Sequence, residues 1–290
     1  MEETGMNIET VTRKGTSEWN EDALIVNEAL SLYGVADGAT SLRPYRGPQQ
    51  ETGGYLASRI VQRYLESLQA EDVAGIGLKE LVVEANMRLR EEMEAAGIDL
   101  SDKTALWTSA LALIRIHEHY IDYAQVGDCM IAAVYADGTV RAVSRDQVAH
   151  IDYMAKRVWE DGIKNGVENR EQLWELVKPT ILANKSKMNT LHGYSVLSGE
   201  LELDDLIEYG RINRIQLQSL LLVTDGLFLP KESISPATDS VQEIVPLVSE
   251  MTLQGYVDWL FAIEAKDKEC RKYPRFKISD DKTGIWIYNL

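Results

Sequence analysis

Five short stretches of this 290-residue chain set an acidic residue at the edge of an apolar or β-prone run. They are Asn20-Glu21-Asp22-Ala23, Val35-Ala36-Asp37-Gly38, Val126-Gly127-Asp128-Cys129, Val223-Thr224-Asp225-Gly226 and Ser279-Asp280-Asp281-Lys282-Thr283. A strand holds such a carboxylate rigidly, and an adjoining glycine lets the backbone turn sharply and expose its carbonyl. Asp-Gly by itself marks only a turn, and Asp137-Gly138, with its polar β-prone flanks, reads as an ordinary hairpin. The set is a different matter. Carboxylates at several converging strand ends repel unless positive charge sits among them, and hard divalent ions with oxygen ligands, Mg²⁺ or Mn²⁺, suit that role.

Other chemistry-bearing residues give weaker signals. His117 and His119 lie one residue apart on a strand and face one side, but with Glu118 between them they read as solvated; His150 and His192 are isolated. Trp107, Trp174, Trp259 and Trp286 fall in apolar patterns and are expected in the core. There is no Gly-rich phosphate loop of the P-loop type and no defensible Ser or Cys nucleophile motif. Cys129 and Cys270 do not form a disulfide framework.

The elements that must carry the carboxylates follow from periodicity. Residues 8–12, 23–26 and 30–35 read as short strands. Leu56, Ile60, Tyr64, Leu65 and Leu68 then recur at helical spacing, as do Leu78, Leu81, Val82, Ala85, Leu89 and Met93, which predicts an antiparallel helix pair. A β-rich stretch follows over 105–143, with strands at 110–116, 120–126, 129–135 and 139–143 read as tightly joined and antiparallel. Residues 146–190 return to helical spacing. Strands are expected at 194–197, 219–224 and 284–288, and helices at 241–249 and 253–265. Grouped strands and paired helices predict an α+β fold of antiparallel sheets covered by helices, in one domain spanning 1–290 with a helical insertion at about 146–190.

Composition bounds the partners. Asp and Glu number 46 against 30 Lys and Arg, a formal charge of −16, which disfavours nucleic acid; the densest basic stretch, Lys266–Lys277, is interrupted by Asp267 and Glu269. No run reaches about 18 apolar residues, so no membrane span is expected. Met1–Gly5 has neither the basic start nor the apolar segment of a signal peptide. A cytoplasmic protein is the simplest expectation.

In order, spacing and flanking residues the five motifs resemble the metal-dependent protein phosphatases of the 2C type. The matches are Asn20–Ala23, Val35–Gly38, Ala124-Gln-Val-Gly-Asp128, Leu220-Leu-Leu-Val-Thr-Asp-Gly-Leu227 and Asp280-Asp-Lys-Thr283. The resemblance implies a four-layer αββα sandwich, two antiparallel sheets flanked by helix pairs. It also implies a phosphoserine or phosphothreonine protein phosphatase using a water activated by two ions, Mn²⁺ or Mg²⁺, with no phosphoenzyme. Carried over by position, Asp37 bridges the metals and the Gly38 carbonyl completes one sphere. Asp225 and Asp280 bind the first metal, and Asp281 fills a slot often held by Asn. Glu21 serves the second metal through water, Asp22 ligates or orients ligand waters, and Asp128 matches a ligand of a third, weaker ion. Asp37 and Asp225 are thus the candidate catalytic residues.

Three positions depart from the family pattern. Ser17 stands where relatives carry a phosphate-gripping Arg, with Arg13 and Lys14 as possible substitutes; Leu229 replaces an Asp that serves the third metal site, leaving the two-metal centre intact. Asp37-Gly38-Ala39-Thr40-Ser41 lacks the second glycine pair that relatives favour, which implies reshaped substrate access. These departures motivate two alternatives, a catalytically weak or inactive binding and regulatory relative, and a small-molecule phosphatase.

Overall fold

Leu220 and Leu222 enter one apolar core while Leu221 and Val223, alternating with them, enter another. A strand buried on both faces in this way has to lie between a second sheet on one side and helices on the other. The computed structural model, which describes residues 5–39, 42–233 and 240–290, has that arrangement. Residues 1–4 of the N-terminal stretch, and Thr40 and Ser41 of the departure after Gly38, lie outside the described residues.

The strands are β1 (Asn7–Arg13), β2 (Asp22–Asn27), β3 (Leu32–Ala39), β4 (Thr108–Ile116), β5 (Tyr120–Val126), β6 (Met130–Tyr135), β7 (Val140–Ala142), β8 (Glu208–Asn213), β9 (Leu217–Val223) and β10 (Lys282–Tyr288). They form two five-stranded antiparallel sheets, ordered β1-β10-β9-β6-β7 and β2-β3-β4-β5-β8. Between the sheets lie Val35, Ile114, Ile131, Leu220, Leu222, Ile285 and Ile287. Helices α1 (Gly53–Ser67) and α2 (Leu78–Ala95) cover the second sheet through Ile60, Val61, Leu65, Leu81 and Leu89. Thr52 starts α1 by accepting a hydrogen bond from the Tyr55 N–H at 3.2 Å. The first sheet is covered by the last two helices, Ser240–Met251 and Leu253–Glu264, through Val241, Ile244, Tyr256 and Leu260. The four-layer αββα sandwich expected from the sequence is the observed fold.

Between β7 and β8 stand two further helices, α3 (Ala149–Lys164) and α4 (Arg170–Lys185). The pair covering the first sheet is thus α5 (Ser240–Met251) and α6 (Leu253–Glu264) in chain order. Trp159, Leu173 and Val177 pack α3 and α4 on each other and on Cys270 and Phe276 of the segment before β10. The Trp159 indole N–H donates to the Cys270 carbonyl at 2.9 Å, fastening the pair to that segment. No described helix is long and apolar enough to cross a membrane.

Three expectations need correction, and one strand was not expected. Residues 126–130 are no hairpin, because β5 and β6 belong to different sheets and the chain crosses between them at Gly127, whose φ is +77°. Residues 194–197 form no strand and make only isolated bridges, Ser109 to Leu197 and Met188 to Tyr194. An unexpected strand, β8, closes the edge of the second sheet; only Ile212 of its six residues is buried, so its apolar alternation is too thin to read. Trp174 lines a cleft instead of being sealed in the core. Asp137-Gly138 is the ordinary exposed turn between β6 and β7, with the Asp137 side chain accepting from the Thr139 N–H at 2.9 Å.

Candidate metal centre

Strand register brings the acidic motifs to one edge of the sandwich. Asp22 lies opposite Asp37 in the β2–β3 ladder. Val223 pairs with both Met130 and Gly284, so Asp128, Asp225 and Asp280, each just beyond a strand end of the other sheet, arrive at the same place. The Thr224 hydroxyl ties the sheets together by donating to Asp22 Oδ2 at 2.8 Å, while it accepts from the Thr283 N–H at 3.1 Å. Of the adjacent acids before β10, Asp280 lines the clefts. Asp281 turns inward and accepts from the N–H groups of Gly15 (2.7 Å) and Glu21 (2.8 Å). One is a candidate ligand and the other a strap.

Two glycines make this close approach possible. A Cβ on Gly38 would collide with the Gly54 carbonyl at the start of α1, and one on Gly226 would collide with the Asp281 carbonyl. Glu21 behaves differently from the aspartates. Its carboxylate accepts from the Thr52 hydroxyl at the N-terminus of α1, beside the cluster and not in it.

The aspartates carry the electrostatic cost of meeting. Burial first, then Asp22, Asp225, Asp128 and Asp280, push the Asp37 carboxyl well above the usual range. Asp22 is raised well above it too, by burial and then by Asp281 and Asp280. Burial and Asp280 raise Asp225, against a hydrogen bond with Asp37 and the Lys277 ammonium that pull it back. Asp128 rises through burial, Asp225, Asp146 and Asp152. The Lys277 ammonium is bonded directly to the group, Nζ donating to Asp280 Oδ1 at 2.6 Å, and Lys156 of α3 faces Asp225 from the insertion. Burial works against the Lys277 charge, but Asp280 and Asp37 outweigh it and raise the Lys277 pKa well above the ordinary value.

These groups fit hard divalent ions by chemistry: the side-chain donors are oxygens, and the five aspartates outnumber the ammoniums of Lys277 and Lys156 beside them. Among the described residues no three His, Cys, Asp or Glu side chains are drawn together tightly enough to hold an ion as they stand.

Sequence reasoning missed three charged neighbours. Asp146 and Asp152 enter from the insertion. Asp146 caps α3 by accepting from the N–H groups of Val148 and Ala149, and burial followed by Asp152 pushes its pKa up to about 6. Asp152 pairs with Lys156 at 2.9 Å. Lys277, the third, sits in an irregular segment with no periodic signal, and its position three residues before Asp280 was the only available clue.

The departures also find their places. Ser17 is half-buried and lines neither cleft. Arg13 faces Asp258 at 3.3 Å and stacks on Phe261, while Lys14 donates to the Glu18 carbonyl at 3.2 Å, so neither substitutes at the cluster. Leu229 lines the smaller cleft. His117 Nε2 lies 3.1 Å from Asp122 Oδ2 beside the β4–β5 turn, at the far end of β5 from Asp128. Burial, then Asp37, raises the Cys129 thiol well above its ordinary value, which leaves it inert as a nucleophile.

Two clefts flank the cluster. One of about 680 Å³ runs from Asp37, Asp225 and Asp280 beneath α3 and α4. The other, about 280 Å³, lies between Asp128, Asp146, Phe228 and Tyr273.

A family model described as Protein phosphatase 2C matches residues 13–262. The fold is similar to that of the Staphylococcus aureus serine/threonine phosphatase Stp1, at 16% identity and TM-score 0.55, covering 99% of this chain and 96% of that one. It is also similar to the Mycobacterium tuberculosis serine/threonine phosphatase PstP/Ppp, at 15% identity and TM-score 0.54, covering 98% of each. A structure of the PstP catalytic domain in complex with two manganese ions matches at 13% identity and TM-score 0.56, over 98% of this chain and 97% of that one. No curated protein matches the sequence.

Proposed function

Because this chain belongs to the protein phosphatase 2C family, the metal-dependent serine/threonine phosphatases, we propose that it removes phosphate from phosphoserine and phosphothreonine in proteins at the aspartate cluster between its sheets. The observation that carries this reading is the meeting of five aspartates from five chain segments at one edge, at a cost in burial and repulsion that bound cations would offset. We read the chain as one phosphatase domain with α3 and α4 as an insertion. Two free, buried cysteines support a reducing, cytoplasmic setting.

Asp37, with the Gly38 carbonyl, Asp225 and Asp280, would hold the first of two ions, and Asp37, Asp22 and Glu21 the second, the last through water. Mn²⁺ and Mg²⁺ both suit these oxygen donors. When bound, the ions supply charge for the phosphoryl oxygens and lower the pKa of a water to near neutrality. Around them the chain supplies position. Thr224 fixes Asp22, Asp281 fixes the backbone at Glu21, and the β2–β3 register fixes Asp22 against Asp37. With serine at position 17, Lys277 is the ammonium placed to meet the phosphate. It offers a point charge where an arginine would offer a two-pronged grip.

Hydrolysis of p-nitrophenyl phosphate and of a phosphothreonine peptide, with and without Mn²⁺, tests the reading. Activity should require the metal and should fall at least about a hundredfold in Asp37→Asn, the scale of losing a preorganised electrostatic group. Activity that survives chelation or that substitution would overturn it.

A further inference from the structure

Among the described residues the buried lysines and the largely buried Arg275 have carboxylate partners, with one exception. Lys282 is fully buried and meets Glu264 at 2.9 Å; Arg275 is mostly buried and meets Asp267 at 2.7 Å. Lys185, at the end of α4, is 8% exposed, yet its Nζ has the Thr108 hydroxyl at 3.3 Å as its hydrogen-bond partner and no carboxylate within ion-pair distance among the described residues. Burial pushes its pKa down to about 8, against the more distant pull of Glu200 and Glu21. A buried ammonium in that state costs stability. The packing of the fold therefore gives no reason for a lysine here.

Both Lys185 and Thr108 line the larger cleft, the one that begins at Asp37, Asp225 and Asp280. Its lining includes the apolar side chains of Ile151, Ala155, Trp174 and Ile181. A phosphorylated residue held at the aspartates thus has a neighbour facing a largely apolar cleft that also holds the Lys185 ammonium. The α4 margin is mixed in charge: Glu171 and Glu175 are exposed and line the same cleft beside Arg170, so the two glutamates offset the arginine there.

We propose that this cleft is a specificity subsite in which Lys185 and Thr108 receive the carboxylate of a Glu or Asp side chain close in sequence to the phosphorylated residue of the substrate. The inference rests on the phosphoprotein reading given above. Glutamate fits well, since its methylenes match the apolar walls and its carboxylate completes the ion pair that Lys185 lacks. Docking supplies the missing counter-charge, and it occurs in a desolvated site, where a hydrogen bond to a charged group is worth more than at the surface.

The test uses phosphothreonine peptides that differ by Glu or Gln at single positions on either side of the phosphorylated residue, assayed with Mn²⁺. Wild-type protein should prefer Glu at one position by about tenfold to a hundredfold, chiefly through KM. Lys185→Met should bring that ratio to about one and should melt at or above the wild-type temperature, as expected when an unpaired buried charge is removed. Lys185→Arg should keep part of the preference. Absence of a Glu preference in wild type, or its persistence in Lys185→Met, would overturn the subsite. So would a Lys185→Met protein that melts well below wild type, since Lys185 would then serve the fold. If wild type hydrolyses no phosphate ester at all, the phosphatase reading fails separately. Calorimetry with the unphosphorylated Glu peptide still decides the subsite: binding that needs Lys185 supports it, and no binding overturns it.

Discussion

Asp22 and Asp37 face each other in a ladder, and burial with repulsion from neighbouring aspartates raises both acids. Between roughly pH 4, where an unfolded Asp titrates, and the raised folded values, the folded chain holds more protons than the unfolded one. Its stability therefore falls as pH rises through that window. The metal-free protein should melt higher at pH 5 than at pH 8. Mn²⁺ at about a hundred times its Kd should then restore about 2.7 kcal/mol at pH 8. Thermal melts in chelator and in Mn²⁺ check both; equal melting temperatures in chelator at the two pH values would contradict a buried acidic cluster. At this scale the sequence was informative about carboxylates, because an acid at the end of an apolar run carries a local signature. It was silent about Lys277 and Lys185, whose meaning lies in partners that only folding supplies or withholds.

The start of β10 shows how an element is held to its task. Lys282 lies in the last motif, but its ammonium turns away from the aspartates toward Glu264 of α6, Ser279 (3.1 Å) and the face of Phe261. Lys282→Ala would leave Glu264 buried without its counter-charge and should destabilise by about 3–5 kcal/mol, read by urea unfolding. Replacing the pair by apolar residues, Lys282→Met with Glu264→Leu, should recover most of that. A single variant as stable as wild type would show the pair to be dispensable. Elements were legible where their burial is one-sided, as in α1 and α2. The crossing after β5 was misread because β5 and β6 both end in apolar residues at Gly127-Asp128, and periodicity cannot say which sheet a doubly buried run will join.

On the scale of the whole molecule, the grouping of strands and the pairing of helices gave the layers, and the order of five motifs gave the family. What α3 and α4 enclose was not legible, since the cleft is made jointly by the insertion, β3, β4 and the segment before β10. The site depends on the closed sandwich and not only on its ligands. A chain lacking residues 282–290 keeps Glu21, Asp22, Asp37, Asp128, Asp225 and Asp280, yet it loses the strand between β1 and β9 that positions the last of them. Calorimetry should show it unable to bind Mn²⁺. Binding with undiminished affinity would mean that the centre assembles without the first sheet.

That strand order also sets a timetable. β1 is synthesised about 270 residues before β10, its one sheet neighbour among the described residues. At synthesis rates of about 5–20 residues per second, β1 waits roughly 15–60 s with unpaired backbone edges before residues 282–288 emerge. The second sheet needs nothing beyond β8 and has a head start. Biogenesis thus proceeds from one half of the sandwich to the other, and the nascent chain carries an open strand that is vulnerable to mispairing until β10 emerges.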